Sequence, residues 1–392
     1  MSNPIYLDNN ATTACDDRVL EVMLPFFKSA FANPSSNHAL GWLARDAVDK
    51  ATKDIVETLG ILPDELIYTS GATESINMVL KGVYKKYKTK GNHIITLKTE
   101  HKAVLDVCEQ LSREGARITY LDVDQDGLIG LEQLEHALTP ETILVSVMLV
   151  NNETGVIQPL EAIAALTKPL GTLLFSDATQ ALGKLRLDSF FKTVDFACFS
   201  GHKLYGPKGI GFTYCNSKND ILPLASFIQG GRQQKGMRGG TLNTPLIVGL
   251  SKSILLCYER FDVEQKTIKK LRDSLEKGVL EIEQTTLNGH KEMRVAGTCN
   301  ISFGFIDGPN LLRALSSRLA ISNGSACNSA SITPSHVLRA MDVKPDLAHA
   351  SLRMGVGRYT TEQDINKAIA IITREVHMLR QENILWELRN KA

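Results

Sequence analysis

The chain has 392 residues, of which 43% are hydrophobic and 22% charged, and a formal charge of +1. That length favours two structural lobes over one core, and the near-neutral charge excludes the broad basic field that holds nucleic acid directly. Seven cysteines, at 15, 108, 198, 215, 257, 299 and 327, are odd in number and lack C-x-x-C spacing. They suggest neither a disulfide framework nor a zinc site, and fit a reducing compartment.

The opening "MSNPIYLDNNATT" has no basic stretch leading into an apolar one, and no apolar run approaches the roughly 18 residues that span a bilayer. A cytoplasmic protein with no membrane partner is expected. From 65 to 215 short apolar runs alternate with amphipathic ones. "LIYTS" (66–70) precedes a helical pattern from 72 to about 87, and "HIITLK" (93–98) precedes one over 102–113. "RITYLDV" (117–123) leads to a helix near 131–138, and "TILVSVMLV" (142–150) reads as one long buried strand before a helix after Pro159. "LLFSD" (173–177), "FACFS" (196–200) and "GIGFTYC" (209–215) complete the series. The alternation predicts an α/β fold, a mostly parallel sheet sandwiched by helices.

After about 245 the pattern changes. One long helix is expected over 246–283, then "CNISF" (299–303), a helix near 309–318, "LAIS" (319–322), "SLRMGVG" (351–357) and a last helix over about 362–383. Fewer strands crossed by a final helix predict a smaller α+β unit.

Two motifs carry little. "DVDQDGLIGLEQ" (122–133) imitates a calcium loop, but its twelfth position is Gln133 and a strand leads into it, so it reads as an acidic turn. "GPKGIG" (206–211) lacks G-x-G-x-x-G spacing and precedes a strand, which removes a dinucleotide-binding reading.

In open α/β sheets ligands sit beyond the carboxyl ends of the strands, and four loops there carry an unusual polar set. "SGATES" (70–75) joins strand to helix; Gly71 allows close backbone approach, and the Thr73 hydroxyl stands beside free helix N–H groups, a seat for phosphate. "FSDATQ" (175–180) ends an apolar strand on Asp177. "FSGHKLYGPKG" (199–209) groups Ser200, His202 and Lys203, and a lysine whose acidity is raised by burial and cationic neighbours attacks carbonyls. "TEHKAV" (99–104) adds His101. Singly, Thr73 and Asp177 also read as helix caps, Lys203 as a loop lysine and His101 as a solvent-facing helix residue. Together they supply what pyridoxal 5'-phosphate needs: an amine for a Schiff base, an acid for the ring nitrogen and a phosphate cradle.

The chain resembles the cysteine desulfurases, pyridoxal-phosphate enzymes of the aspartate-aminotransferase fold type I. The likeness runs through "YLDNNATT" (6–13), "NPSS.H" (33–38), "SGATESIN", "TEHKAV", "NNETGVIQP", "SDATQ", "SGHKLYGPKGIG", "GMRGGT", "NGSACNSAS" and "SLRMGVGRYTTEQDI". It implies a large cofactor domain over 15–255 and a small domain made of 1–14 and 256–392, which carries a mobile cysteine loop at 322–335. By this resemblance Lys203 bears the cofactor and moves protons, Asp177 pairs with the ring nitrogen, Gln180 meets the ring hydroxyl and His101 stacks on the ring. Asn152 lies near ring and substrate. Ala72, Thr73, Ser200 and His202 hold the phosphate, joined by Thr241 from the neighbouring subunit of a homodimer. Arg353 clamps the carboxylate of L-cysteine.

The implied reaction converts L-cysteine to L-alanine, with a persulfide formed on Cys327. The small residues around Cys327 suit a loop that swings out to a sulfur acceptor, and no metal is implied. The acceptor is an iron–sulfur cluster scaffold or a relay protein for tRNA or DNA thiolation. A selenocysteine lyase and a non-catalytic sulfur-relay scaffold remain as alternatives on the same residues.

Overall fold

The computed structural model describes residues 4–217, 224–323 and 334–391. A two-residue strand β1 (Ile5–Tyr6) precedes the main sheet, which comprises β2 (Leu66–Thr69), β3 (His93–Leu97), β4 (Arg117–Leu121), β5 (Thr142–Ser146), β6 (Leu173–Asp177), β7 (Phe196–Ser200) and β8 (Gly211–Cys215). Their spatial order is β2-β8-β7-β6-β5-β3-β4. All neighbours run parallel except β8, which is antiparallel to both β2 and β7.

Every residue of β3, β5, β7 and β8 is buried. Strands covered on both faces need apolar side chains at successive positions, and these runs have them. Ile94 and Leu144 point into a core closed by the helices Ala72–Tyr87 and Lys102–Arg113. Their neighbours Ile95 and Val145 point the other way, into a core that includes the helices Ala39–Leu59, Leu160–Thr167 and Thr244–Glu259.

The second sheet is antiparallel. It contains β9 (Thr285–Leu287), β10 (Thr298–Phe303) and, after β11 (Leu319–Ala320), β12 (Ser351–Gly355), in the order β12-β10-β9. A separate core packs it on the helices Phe261–Leu280, Gly308–Leu315 and Glu362–Gln381. β11 pairs in parallel with β1, so Leu7 from the start of the chain enters this second core.

Two expectations are corrected. The long helix over 246–283 is two helices that break at Arg260 (φ −119°, ψ 18°). Its first half buries Ile254 and Cys257 against the main sheet, and its second buries Leu271 and Leu275 in the other core. One straight rod cannot serve both directions. The strand expected over 142–150 ends at Ser146. Past that point the Val147 and Leu149 N–H groups still donate to the carbonyls of Phe175 and Asp177, both at 3.0 Å, and the segment bends into the site.

The acidic turn closes on itself, with the Asp124 carboxylate accepting from the N–H groups of Asp126 (3.0 Å) and Leu128 (2.8 Å). Among the described residues no side-chain cluster suits a metal ion, and no helix is long and apolar enough to cross a membrane.

Candidate active site

A cavity of about 570 Å³ opens at the carboxyl ends of β2, β6 and β7, a volume within the ordinary range for small-molecule sites. Its wall at β2 is the turn into the helix Ala72–Tyr87. Gly71, the residue before that helix, has φ +149° and ψ −176°, which a side chain rarely adopts. A methyl group there would lie 3.4 Å from the Ser200 hydroxyl, inside the cradle the two segments form. Ala72 and Thr73 in the first turn and Ser200 at the end of β7 face this cradle, as does His202. Burial, then the cations Lys203 and Lys208, push the His202 imidazole down to about 4, so it is neutral at physiological pH. Its Nδ1 lies 3.1 Å from the Thr12 hydroxyl.

Asp177 ends β6 with only 6% of its surface exposed. Its Oδ1 accepts from the Thr179 N–H at 3.0 Å and from the Cys198 thiol at 3.4 Å. Burial and the adjacent Asp177 hold the Cys198 thiol protonated, which makes it a donor and not a nucleophile. Gln180 lies one turn further on, with Nε2 donating to the Asn10 carbonyl at 2.8 Å. The same carbonyl and that of Ala11 each accept from the Lys203 amine at 2.7 Å. The N-terminal segment therefore forms a wall of the cavity through Asn10, Ala11 and Thr12.

The opposite wall comes from the second sheet. Arg353 on β12 is almost fully buried. Its Nη2 donates to Asp8 at 2.9 Å and its Nη1 to the Asn152 carbonyl at 3.2 Å, while Nε is buried and meets no acceptor among the described residues. Asn152 lines the cavity beside it. His101 does so too, and its Nδ1 also caps its own helix by accepting from the Ala103 N–H at 3.1 Å. The buried Glu153 accepts from the Ser335 hydroxyl at 2.5 Å, and Ser335 caps the helix His336–Ala340. Burial raises the Glu153 carboxyl despite its hydrogen bond from Ser335.

The structure thus brings Ala72, Thr73, His101, Asn152, Asp177, Gln180, Ser200, His202, Lys203 and Arg353 to one cavity. Thr241 is exposed and is not among that cavity's lining residues. Cys327 and most of the loop expected at 322–335 lie outside the described residues. Four contributors carry no assignment in the sequence reading: Asn10, Glu74, Lys184 and Arg238. Glu74 pairs with Arg238 at 2.8 Å and accepts from the Ser70 N–H at 2.7 Å, tying the "GMRGGT" segment to the glycine turn. Lys184 donates to Oε1 of Gln180. No spacing signalled the Glu74–Arg238 pair, which joins segments 164 residues apart, whereas Lys184 and Gln180 are only four residues apart.

The donor set fits pyridoxal phosphate. The glycine cradle, the hydroxyls and a helix N-terminus suit the phosphate, a buried carboxylate suits a protonated ring nitrogen, and the Lys203 amine suits the aldehyde.

Comparison with known proteins points the same way. The aminotransferase class-V family profile matches residues 5–368. A cysteine desulfurase IscS of Rickettsia bellii is 46% identical over 391 residues, covering 99% of this chain and 95% of that protein. Among solved structures, a NifS-like protein superposes with a TM-score of 0.89 at 36% identity, covering 96% of this chain and all of the other. SspA in complex with cysteine superposes at 0.80, also at 36% identity, covering 91% of this chain and 99% of that one.

Proposed function

The chain belongs to the aminotransferase class-V family, and we propose the following division of labour for it as a pyridoxal-phosphate-dependent cysteine desulfurase. When bound, the cofactor supplies an electron sink that loosens bonds at the α-carbon of cysteine. Gly71, Ala72, Thr73, Ser200 and the neutral His202 hold its phosphate, Asp177 keeps its ring nitrogen protonated, and Gln180, His101 and Asn152 orient the ring. The Lys203 amine anchors it and afterwards holds and moves the proton of the α-carbon.

Arg353 orients the substrate through its carboxylate. Its guanidinium already binds Asp8 and the Asn152 carbonyl, so it is fixed before substrate arrives, and the buried Nε is one donor that the described residues leave unused. The Cys327 thiolate attacks the substrate sulfur: an S–S bond forms, the C–S bond breaks, its electron pair returns to the substrate carbon, and protonation there gives alanine. The persulfide then passes to an acceptor protein of iron–sulfur cluster assembly or of tRNA or DNA thiolation.

The exposed Thr241, together with exposed Phe27, Phe31, Trp42 and Leu43, supports a homodimer in which Thr241 completes the partner's phosphate seat. The small domain, 1–14 with 256–392, carries the cysteine loop, and the protein works in the cytoplasm.

The convergence of Lys203, Asp177 and the Gly71 cradle in one cavity carries this reading. Peptide mass spectrometry after incubation with L-cysteine tests it: one added sulfur on Cys327 and stoichiometric alanine are expected. Full alanine release by Cys327→Ala would instead mark a lyase that needs no thiol.

A further inference from the structure

Lys184 is a second lysine near Lys203; it does not line the main cavity but shares a small separate one with Lys203. The residue as a whole is half-buried, but its amine end lies deep, and burial first, then the cations Lys203 and Arg353, push it down to about 7. Its one protein acceptor is Oε1 of Gln180. That contact fixes an otherwise ambiguous amide. While Lys184 is an ammonium, a flipped Gln180 would set its NH₂ against it, donor against donor. With Oε1 held by Lys184, the NH₂ group gives one hydrogen to the Asn10 carbonyl and keeps its second for the cavity that Gln180 lines. A donor placed there suits a ring oxygen that carries negative charge.

The same chain of contacts ends on Lys203, because the Asn10 carbonyl accepts from both Gln180 and Lys203. Lys184 and Lys203 also share a separate cavity of about 20 Å³, room for about one water. Two carbonyls at 2.7 Å favour the protonated form of the Lys203 amine, which is no nucleophile. A second cation nearby opposes them. The groups facing Lys184 are Lys203, Arg353 and the Cys257 thiol, with Glu264 on the same small cavity. Arg353 is paired with Asp8, Glu264 with Arg358, and burial pushes the Cys257 thiol up to about 12, so it is neutral. The partner of Lys184 is a neutral amide, so the charge it carries below about pH 7 is not cancelled.

We propose that Lys184 is a positioning residue of this site: it fixes the Gln180 amide with an N–H toward the cofactor and sets a second cation beside the Lys203 nitrogen. This rests on the desulfurase reading above. The test uses the holoenzyme. Borohydride reduction of wild type loaded with pyridoxal phosphate is expected to fix a phosphopyridoxyl mass on Lys203; no such mass would overturn the reading of the site, whatever Lys184 does.

With that established, the visible absorbance is titrated against pH in wild type, Lys184→Met, Lys184→Gln and Lys184→Arg, each checked for folding by circular dichroism. Removing the cation in the Met and Gln variants is expected to raise the titration midpoint by about one unit, a tenfold gain in proton affinity at the Lys203 nitrogen. Lys184→Arg keeps the donors and carries its charge at every pH of the titration, so its midpoint is expected at or below that of wild type and not above it. A wild-type midpoint in whichever neutral variant folds overturns the proposal, and so does an upward shift in Lys184→Arg as large as that in the neutral variants.

Discussion

The main sheet and the three-stranded sheet contribute to one cavity in different ways. The main sheet offers groups at strand ends, Asp177 after β6 and Ser200 after β7, held by neighbours a few residues away. The Thr179 N–H that fixes Asp177 is two residues on. The second sheet offers Arg353 from the middle of a buried strand, held by Asp8 across 345 residues of sequence. The Asp177 turn and the glycine turn of the cofactor seat therefore form locally, whereas Lys203, held by the Asn10 and Ala11 carbonyls, and the Arg353 clamp both need the start of the chain in place. The difference implies that removing a group from the second sheet disturbs the substrate more than the cofactor.

Substitutions on either side can break that division. The largest effect belongs to Lys203→Ala: cysteine turnover is expected to fall by roughly a thousandfold or more, with loss of the lysine-linked visible band, both measured on folded protein. Cys327→Ala is expected to lose desulfuration by about a hundredfold or more while keeping that band, and loss of the band as well would show the regions to be inseparable. Arg353→Gln is expected to raise the KM for cysteine about ten- to a hundredfold, the worth of a charge-assisted pair, with cofactor content unchanged.

Arg358 tests the seam between the regions. It pairs with Asp16 and Glu264, each at 2.9 Å, and lies 4.1 Å over the Tyr205 ring. Arg358→Met takes the ion partner from the half-buried Glu264 and leaves Asp16 to Arg18 and Tyr359, and is expected to cost about 2 kcal/mol in denaturant unfolding. The smallest effect is on acid stability. Hydrogen bonds from Arg18, chief among the favourable contacts, hold the Asp16 carboxyl well below its ordinary value. Its contribution is therefore complete above about pH 4 and lost as pH falls below that, and Asp16→Asn is expected to flatten this limb of a stability–pH curve.

Much of this was legible in the sequence because it is local. The buried runs at 93–97 and 196–200 announce strands by length and composition, and Asp177 and Lys203 follow such runs directly. The glycine turn at Gly71 reads from strand, glycine and helix start alone. What escaped depends on closure. Nothing in "YLDNNATT" states that the Asn10 and Ala11 carbonyls will hold Lys203, 193 and 192 residues on. The break at Arg260 was hidden for a related reason: both halves are good amphipathic helices, and only the presence of two cores separates them.

The pairing of β1 with β11 sets an order in time. The chain leaves the ribosome N-terminus first, yet Ile5 and Tyr6 have no strand to join until Leu319 and Ala320 exist. Asn10 and Ala11 lie between this late pairing and Thr13, which binds the His202 carbonyl of the main region at 2.9 Å, so the segment that holds Lys203 is tied to both regions. A nascent chain stopped before 319 would own every strand of the main sheet and that segment, but neither the partner of β1 nor the strand that carries Arg353, so a truncated product could not pass for an enzyme.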